Sequence, residues 1–210
     1  MSGSLELAQA RLQARHGLRP SAAAWSALHA AVAMPALLEA ARTSAFRPWT
    51  AGLESAGSPS EIERVLRERL RARIDEVAGW MPEDWRDAVV WTAKLLDFPG
   101  QPHTADARAQ WLEEFRALWP SCAGADREAM EELVRFLQSH VATFAKVAPD
   151  DAWPRRLALQ ARLQWLFRKH ALTPAAAFAH LAIVALDLER LRAEIVAHEG
   201  LARRLRTDRS

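Results

Sequence analysis

Seven histidines, one cysteine and 26 acidic residues are the groups on this chain that can ligate a metal or carry a proton. Their spacing builds none of the sites that use them. Neither His-Glu-x-x-His nor Glu-x-x-His occurs, so the zincin helix and the carboxylate-histidine pairs of helical di-iron proteins are both missing. Glu194 and His198 stand one helical turn apart, but two ligands fall short of a metal site and the spacing reads as a simple i,i+4 contact. Cys122 stands alone, which excludes an intramolecular disulfide and a Cys-based zinc cluster and suits a reducing compartment. Its setting, Pro120-Ser121-Cys122-Ala123-Gly124, reads as a loop without an activating partner. No Gly-rich phosphate loop and no Gly-x-Ser-x-Gly elbow is present. These residues predict no catalytic group, no cofactor-binding group and no metal ligand, hence a protein that is not an enzyme. An all-α enzyme or cofactor binder is a further reading, and it would use His29, His170 or His180 as buried histidines that otherwise serve the core.

The residues able to recognise a partner are tryptophan and arginine. Nine tryptophans, at 25, 49, 80, 85, 91, 111, 119, 153 and 165, are spread along the whole chain as packing residues are. Trp49, beside Pro48 in a stretch that reads as a connector, is the candidate for an exposed aromatic, with insertion into the core as the competing expectation. Lysine occurs only at 94, 146 and 169, and Asn and Tyr are absent, so the abundance of Arg, Ala and Pro reads as GC-rich coding before it reads as phosphate recognition. A formal charge of +2 does not supply the footprint of a nucleic-acid-binding protein, although the pI is near 9.2. No nucleic-acid partner is expected.

The elements that must position these residues are helical throughout. Apolar residues recur at helical spacing in every long segment, β-branched residues are sparse, and no alternating strand pattern is found. With half its residues hydrophobic and 210 residues in length, the chain can bury a core without staples. An all-α bundle of seven to eight helices follows, as one domain over 1–210 or as two helical lobes in contact, with the lobe boundary near 99–103 in Pro99-Gly100-Gln101-Pro102. Ser58-Pro59-Ser60-Glu61 is the clearest helix start, with Ser as N-cap and Pro at N1. Behind it Ile62, Val65, Leu66, Leu70, Ile74 and Val77 share one face, and Glu63, Arg67, Arg71 and Asp75 another. Pro35 bends or splits the second helix, and Thr173-Pro174 caps the last one. That helix, expected to about His198, is apolar on all sides between Phe178 and Leu188, which predicts deep burial. Ala10-Arg11-Leu12-Gln13 with the following Pro20 and Trp25 echoes Ala161-Arg162-Leu163-Gln164 with Pro174 and Phe178, a helix-turn-helix pattern used twice. The start, Met1-Ser2-Gly3-Ser4, carries no secretory pattern, and the uncharged run from Pro20 to Leu38 is Ala-dominated and broken by Pro35. A cytoplasmic location is expected.

The last helix, Pro174 through Phe178, His180, Asp187, Leu191 and Arg192, resembles the closing helix of the C/d family of central-stalk subunits in V-type and archaeal-type ATPases. In that family a proline opens a helix that carries an aromatic, an acidic pair and a Leu-Arg step. His180 takes the aromatic position, Asp187 the second acidic position and Leu191-Arg192 the Leu-Arg step, while Ala185 replaces the first acid. Met34 to Thr43, Trp49 and Ile62 to Arg67 are similar to the family's recurrent helix, connector and helix. The resemblance touches about half of the chain, which is shorter than a typical member. It implies an all-α, non-catalytic coupling piece between a membrane rotor ring and a central shaft. Ring and central-stalk subunits would be its protein partners, and its membrane association would be peripheral on the cytoplasmic side. His180, Asp187, Leu191 and Arg192 are then family-like structural or partner positions. A helical adaptor or regulatory module that binds an unrelated protein is the alternative.

Overall fold

The computed structural model describes residues 4–53, 58–95, 105–121, 124–144 and 149–207. Among them the chain is all-α, with ten helices and no strand: α1 Leu5–Gly17, α2 Ala22–His29, α3 Met34–Arg42, α4 Arg47–Thr50, α5 Pro59–Trp80, α6 Glu83–Trp91, α7 Ala105–Ala117, α8 Ala125–Phe144, α9 Pro149–Lys169 and α10 Pro174–Thr207. The count exceeds the seven to eight expected for two local reasons. Of the two expectations for Pro35 the split is the one that holds: it sits in the first turn of α3, where a missing N–H leaves no bond unmade, and α2 and α3 are separate. A single helical turn, α4, also forms inside the stretch read as a connector.

Some helix starts carry a side-chain cap, while α3, α4 and α6 begin without one. The hydroxyls of Ser21 and Ser58 accept from the N–H groups of Ala24 and Glu61, each at 3.2 Å, and so fix the first turns of α2 and α5. Thr173, expected to do the same for α10, instead donates its hydroxyl to the His170 carbonyl at 2.8 Å and closes the preceding turn. Leu172 in that turn has φ +67°, a left-handed conformation that disfavours a non-glycine side chain by about 1 kcal/mol, and its N–H donates to Gln9 Oε1 at 3.3 Å. α10 continues to Thr207, beyond the end expected near His198.

The chain divides into two compact units, one formed by Met1–Ala14 and Ala72–Val184, the other by Arg15–Arg71 and Ala185–Ser210. The expected boundary at 99–103 lies outside the described residues, as does Cys122. The first unit, here the aromatic unit, is built on rings. Phe115 stacks on Trp91 with centroids 5.0 Å apart, meets Trp119 and Phe178 edge-on at 5.5 and 5.3 Å, and Phe178 in turn meets Trp85 at 6.3 Å. Such pairs add about 1 kcal/mol each beyond the area they bury. The second unit, here the ion-paired unit, has an aliphatic core of Leu28, Leu37, Ile62, Leu66, Leu188 and Leu191, with Trp25 packed edge-on against Phe46 at 4.5 Å. All six α5 residues assigned to a buried face are buried, Ile62 to Leu70 in the ion-paired unit and Ile74 and Val77 in the aromatic one. The run from Ala175 to Leu181 is buried throughout, as its composition requires. Val90 on α6 is 46% exposed.

Candidate functional site

Three of the four residues singled out on the last helix, Asp187, Leu191 and Arg192, lie within the ion-paired unit. Asp187 is 7% exposed, an acid in a helix stretch with no other charge for a dozen residues before it, and burial on that scale demands a counter-ion. Arg19 supplies it from the turn between α1 and α2. Its Nε donates to Asp187 Oδ2 at 2.7 Å and its Nη2 to Oδ1 at 2.9 Å, the two-pronged geometry that a planar guanidinium makes with a carboxylate. Leu191, one turn on, is 1% exposed and belongs to the aliphatic core. Arg192 reaches α5, where its Nε pairs with Glu63 Oε2 while Arg67 Nε donates to Glu63 Oε1 at 2.7 Å. Burial by itself would raise the Glu63 carboxyl, but the hydrogen bond from Arg67 and the charges of Arg192 and Arg67 outweigh it and hold the group below its ordinary range.

Further along α10, His198 spans two carbonyls, with Nδ1 2.8 Å from Glu194 O and Nε2 2.7 Å from Ala31 O. The ring thereby lies between α10 and the segment between α2 and α3 and ties the two together. The Glu194–His198 spacing thus closes on the backbone carbonyl rather than on the carboxylate. That carboxylate lies 3.5 Å from His29 Nδ1. α10 is therefore joined to the α1–α2 turn, to α5 and to the α2–α3 segment by three separate polar contacts within one unit.

Beside this seam, Ala22, Trp25, Ser26, His29, Ala30 and Arg190 line an open cleft of about 340 Å³. The Arg190 guanidinium lies over the Trp25 ring, 4.0 Å from its centroid. His29, expected to be buried, has 80% of its side chain exposed, because α2 is short and turns its last residue outward. His170 is half-buried in the aromatic unit and meets Glu132 Oε2 at 2.9 Å. His180 is 1% exposed there, its ring 6.0 Å from that of Phe167, and it belongs to a different unit from Asp187, Leu191 and Arg192. Trp49 on α4 is half-buried, and among the described residues the tryptophan that stands in solvent is Trp165 on α9, 38% exposed. No group of three or more His, Cys, Asp or Glu able to hold a metal ion occurs among the described residues, and no described helix is long and apolar enough to cross a membrane.

Arg19, Glu63 and Arg190 are not apparent as site residues in the sequence. A lone acid inside an apolar helix signals that a cation must come to it, but among so many arginines the sequence does not say which one. What the pairs of Asp187 and Arg192 do chemically is to fasten helices. No family model, no curated protein and no solved structure matches the chain.

Proposed function

We propose that this chain is a non-catalytic helical coupling piece that works as the C/d central-stalk component does in a rotary ATPase, peripheral to the cytoplasmic face of a membrane and set between the rotor ring and the central shaft. One observation carries the reading. The positions that resemble that family on α10, Asp187, Leu191 and Arg192, are the positions at which the helix is fastened to its unit, by a shielded two-pronged ion pair, a core leucine and a charged contact to α5. A part that transmits torque must resist sliding of one helix past another. Directional contacts at both ends of a packed stretch oppose such sliding better than apolar contact alone, which is indifferent to small shifts.

The test is a tagged copy expressed in its own host, extracted in mild detergent, with mass spectrometry of what co-purifies. Recovery of ring and central-stalk subunits in fixed ratio is the expected result. Recovery of the chain as a lone monomer overturns the proposal. The open cleft beside Trp25 favours a second reading, a helical adaptor for an unrelated protein, because a stacked Arg–Trp pair next to His29 is the kind of amphipathic anchor that protein partners use. Recovery of one such protein, without ring subunits, selects it.

A further inference from the structure

The outward face of α9 gathers positive charge. From Ala152 to Leu186 the chain contains no Asp or Glu, while Arg155, Arg156, Arg162, Arg168 and Lys169 all fall within α9. In a chain whose cations and anions nearly balance, this is a strong local segregation of charge. Leu159, Leu163, Leu166 and Phe167 turn inward and are buried, and the opposite side presents Arg155, Leu157, Ala158, Ala161, Arg162, Trp165, Arg168 and Lys169 as exposed residues. Leu157 is 43% and Trp165 38% exposed, so apolar and cationic groups interleave along three turns, about 18 Å of helix.

Acidic neighbours temper this charge without cancelling it. Glu132 on α8 accepts from Lys169 Nζ at 2.6 Å and lies 3.9 Å from Arg162 Nη2, and Asp151 stands exposed at the start of α9. The hydrogen bond from Lys169 holds the Glu132 carboxyl below its ordinary range against the effect of burial, with His170 adding to it. Arg155 and Arg168 enter no ion pair of this cluster. Burial, and then the charges of Arg156 and Arg155, depress the nearby His140.

The Trp165 ring tells against stacking on a nucleobase. The Arg162 guanidinium sits over it at 3.8 Å and the Lys169 ammonium at 4.8 Å from the centroid, so cations already occupy the ring. What remains presentable is the ring edge, beside two cations that also face Glu132. A single helix face that mixes Arg and Lys with Trp and Leu, and carries no acid of its own along its central turns, has the composition by which helices lie in the headgroup layer of an anionic bilayer.

We infer that α9 is a membrane-surface contact, lying along an anionic bilayer with Trp165 and Leu157 entering the headgroup layer and Arg155, Arg162 and Arg168 on lipid phosphates. The inference stands on the α9 face alone and does not rest on the coupling role proposed above. It is tested with the purified full chain and vesicles of phosphatidylcholine with or without phosphatidylglycerol, by co-sedimentation. Binding is expected only to the anionic vesicles and to weaken as salt is added. Arg162→Gln with Arg168→Gln, checked by circular dichroism for an unchanged fold, should reduce partitioning by about fivefold per cation removed. Trp165→Gln should reduce it as well while leaving the salt dependence in place, a separation that a purely structural role for Trp165 does not produce. Equal binding to both vesicles, no binding by the folded chain, or an unaffected double arginine variant overturns the inference. So does tighter binding, at equal salt, to a single-stranded oligonucleotide or to polyglutamate than to the anionic vesicles. A chain that co-purifies with ring and stalk subunits yet ignores anionic vesicles overturns this inference alone; one that binds the vesicles but recovers no such subunits overturns the coupling role alone.

Discussion

In the aromatic unit helices meet through rings, Phe115 and Phe178 among Trp85, Trp91 and Trp119, whereas in the ion-paired unit α10 is fastened through Arg19, Arg192 and His198. Both draw on the same lopsided composition, rich in Trp and Arg. The difference lies in how specific each contact is about position. Ring clusters supply large burial and tolerate small shifts, while a two-pronged guanidinium–carboxylate pair is strong at one separation and weak at the next. Rings thus supply bulk and two-pronged pairs supply register, the latter also through Arg116 and Glu131 in the aromatic unit, and the family-like residues Asp187 and Arg192 belong to the second kind.

The largest effect should fall in the aromatic unit. Phe178 is 6% exposed and touches both Trp85 and Phe115, so Phe178→Ala should lower stability by about 4 kcal/mol through lost burial and the cavity left behind. Urea unfolding followed by tryptophan fluorescence measures it. A loss no larger than that of an exposed substitution would show that the rings are not what holds this unit.

Asp187→Ala comes next, at about 3 kcal/mol, because it strands Arg19, whose side chain is 14% exposed, without its counter-ion. The informative partner is the double change Arg19→Met with Asp187→Leu, which removes both charges at similar volume. If the pair acts only as a fastening, the double variant should recover most of the loss in urea unfolding. If the double variant stays as weak as Asp187→Ala, the contrast sharpens, since the directional bond itself is then required.

How much of this is legible in the sequence divides along the same line. The bulk terms are readable. α5 follows from Ser58-Pro59 and the spacing from Ile62 to Val77, and the burial of Ala175 to Leu181 follows from a stretch with no polar face. The register terms are not. Arg19 and Asp187 are separated by 168 positions, and no local rule links an arginine in one turn to a carboxylate so far along the chain. His29 escapes sequence reasoning because a buried histidine and an exposed one look alike in an uncharged run until the helix end is known. Trp165 is readable in principle. It lies about 200° around the helix from Leu163, off the stripe formed by Leu159, Leu163 and Leu166, and that angle places it outside the core. Trp49 draws attention instead because Pro48 suggests a loop where a helical turn forms.

Acid should loosen both units through different residues. Glu63 in the ion-paired unit and Glu131 and Glu132 in the aromatic unit are each held below the ordinary carboxylate value of 4.5. For Glu131 the hydrogen bond from Arg116 is the main cause, at 3.1 and 3.0 Å to the two carboxylate oxygens. A carboxyl whose folded pKa is depressed contributes stability that is fully present above its unfolded value and is lost as the pH falls through the folded one. Stability should therefore hold down to about pH 4.5 and then decline on further acidification. Glu63→Gln should flatten that decline for the ion-paired unit while leaving the share due to Glu131 and Glu132. A decline that starts near neutrality would assign it to other groups.

Arg192→Ala should produce the smallest change in stability, below about 1 kcal/mol, because half of the arginine side chain is in water and Glu63 keeps Arg67. That smallness makes it the most useful substitution for separating fastening from recognition. A residue that only braces α10 loses as little in partner recovery as it does in stability. A residue that also meets a neighbouring protein loses far more in recovery, since a rim or interface charge acts on association while barely touching the fold. Measured side by side, thermal unfolding unchanged with ring and stalk subunits no longer retained would place Arg192 on the partner surface. Equal and small effects on both would confine it to the seam with α5, and the coupling surface would have to lie elsewhere on the helix.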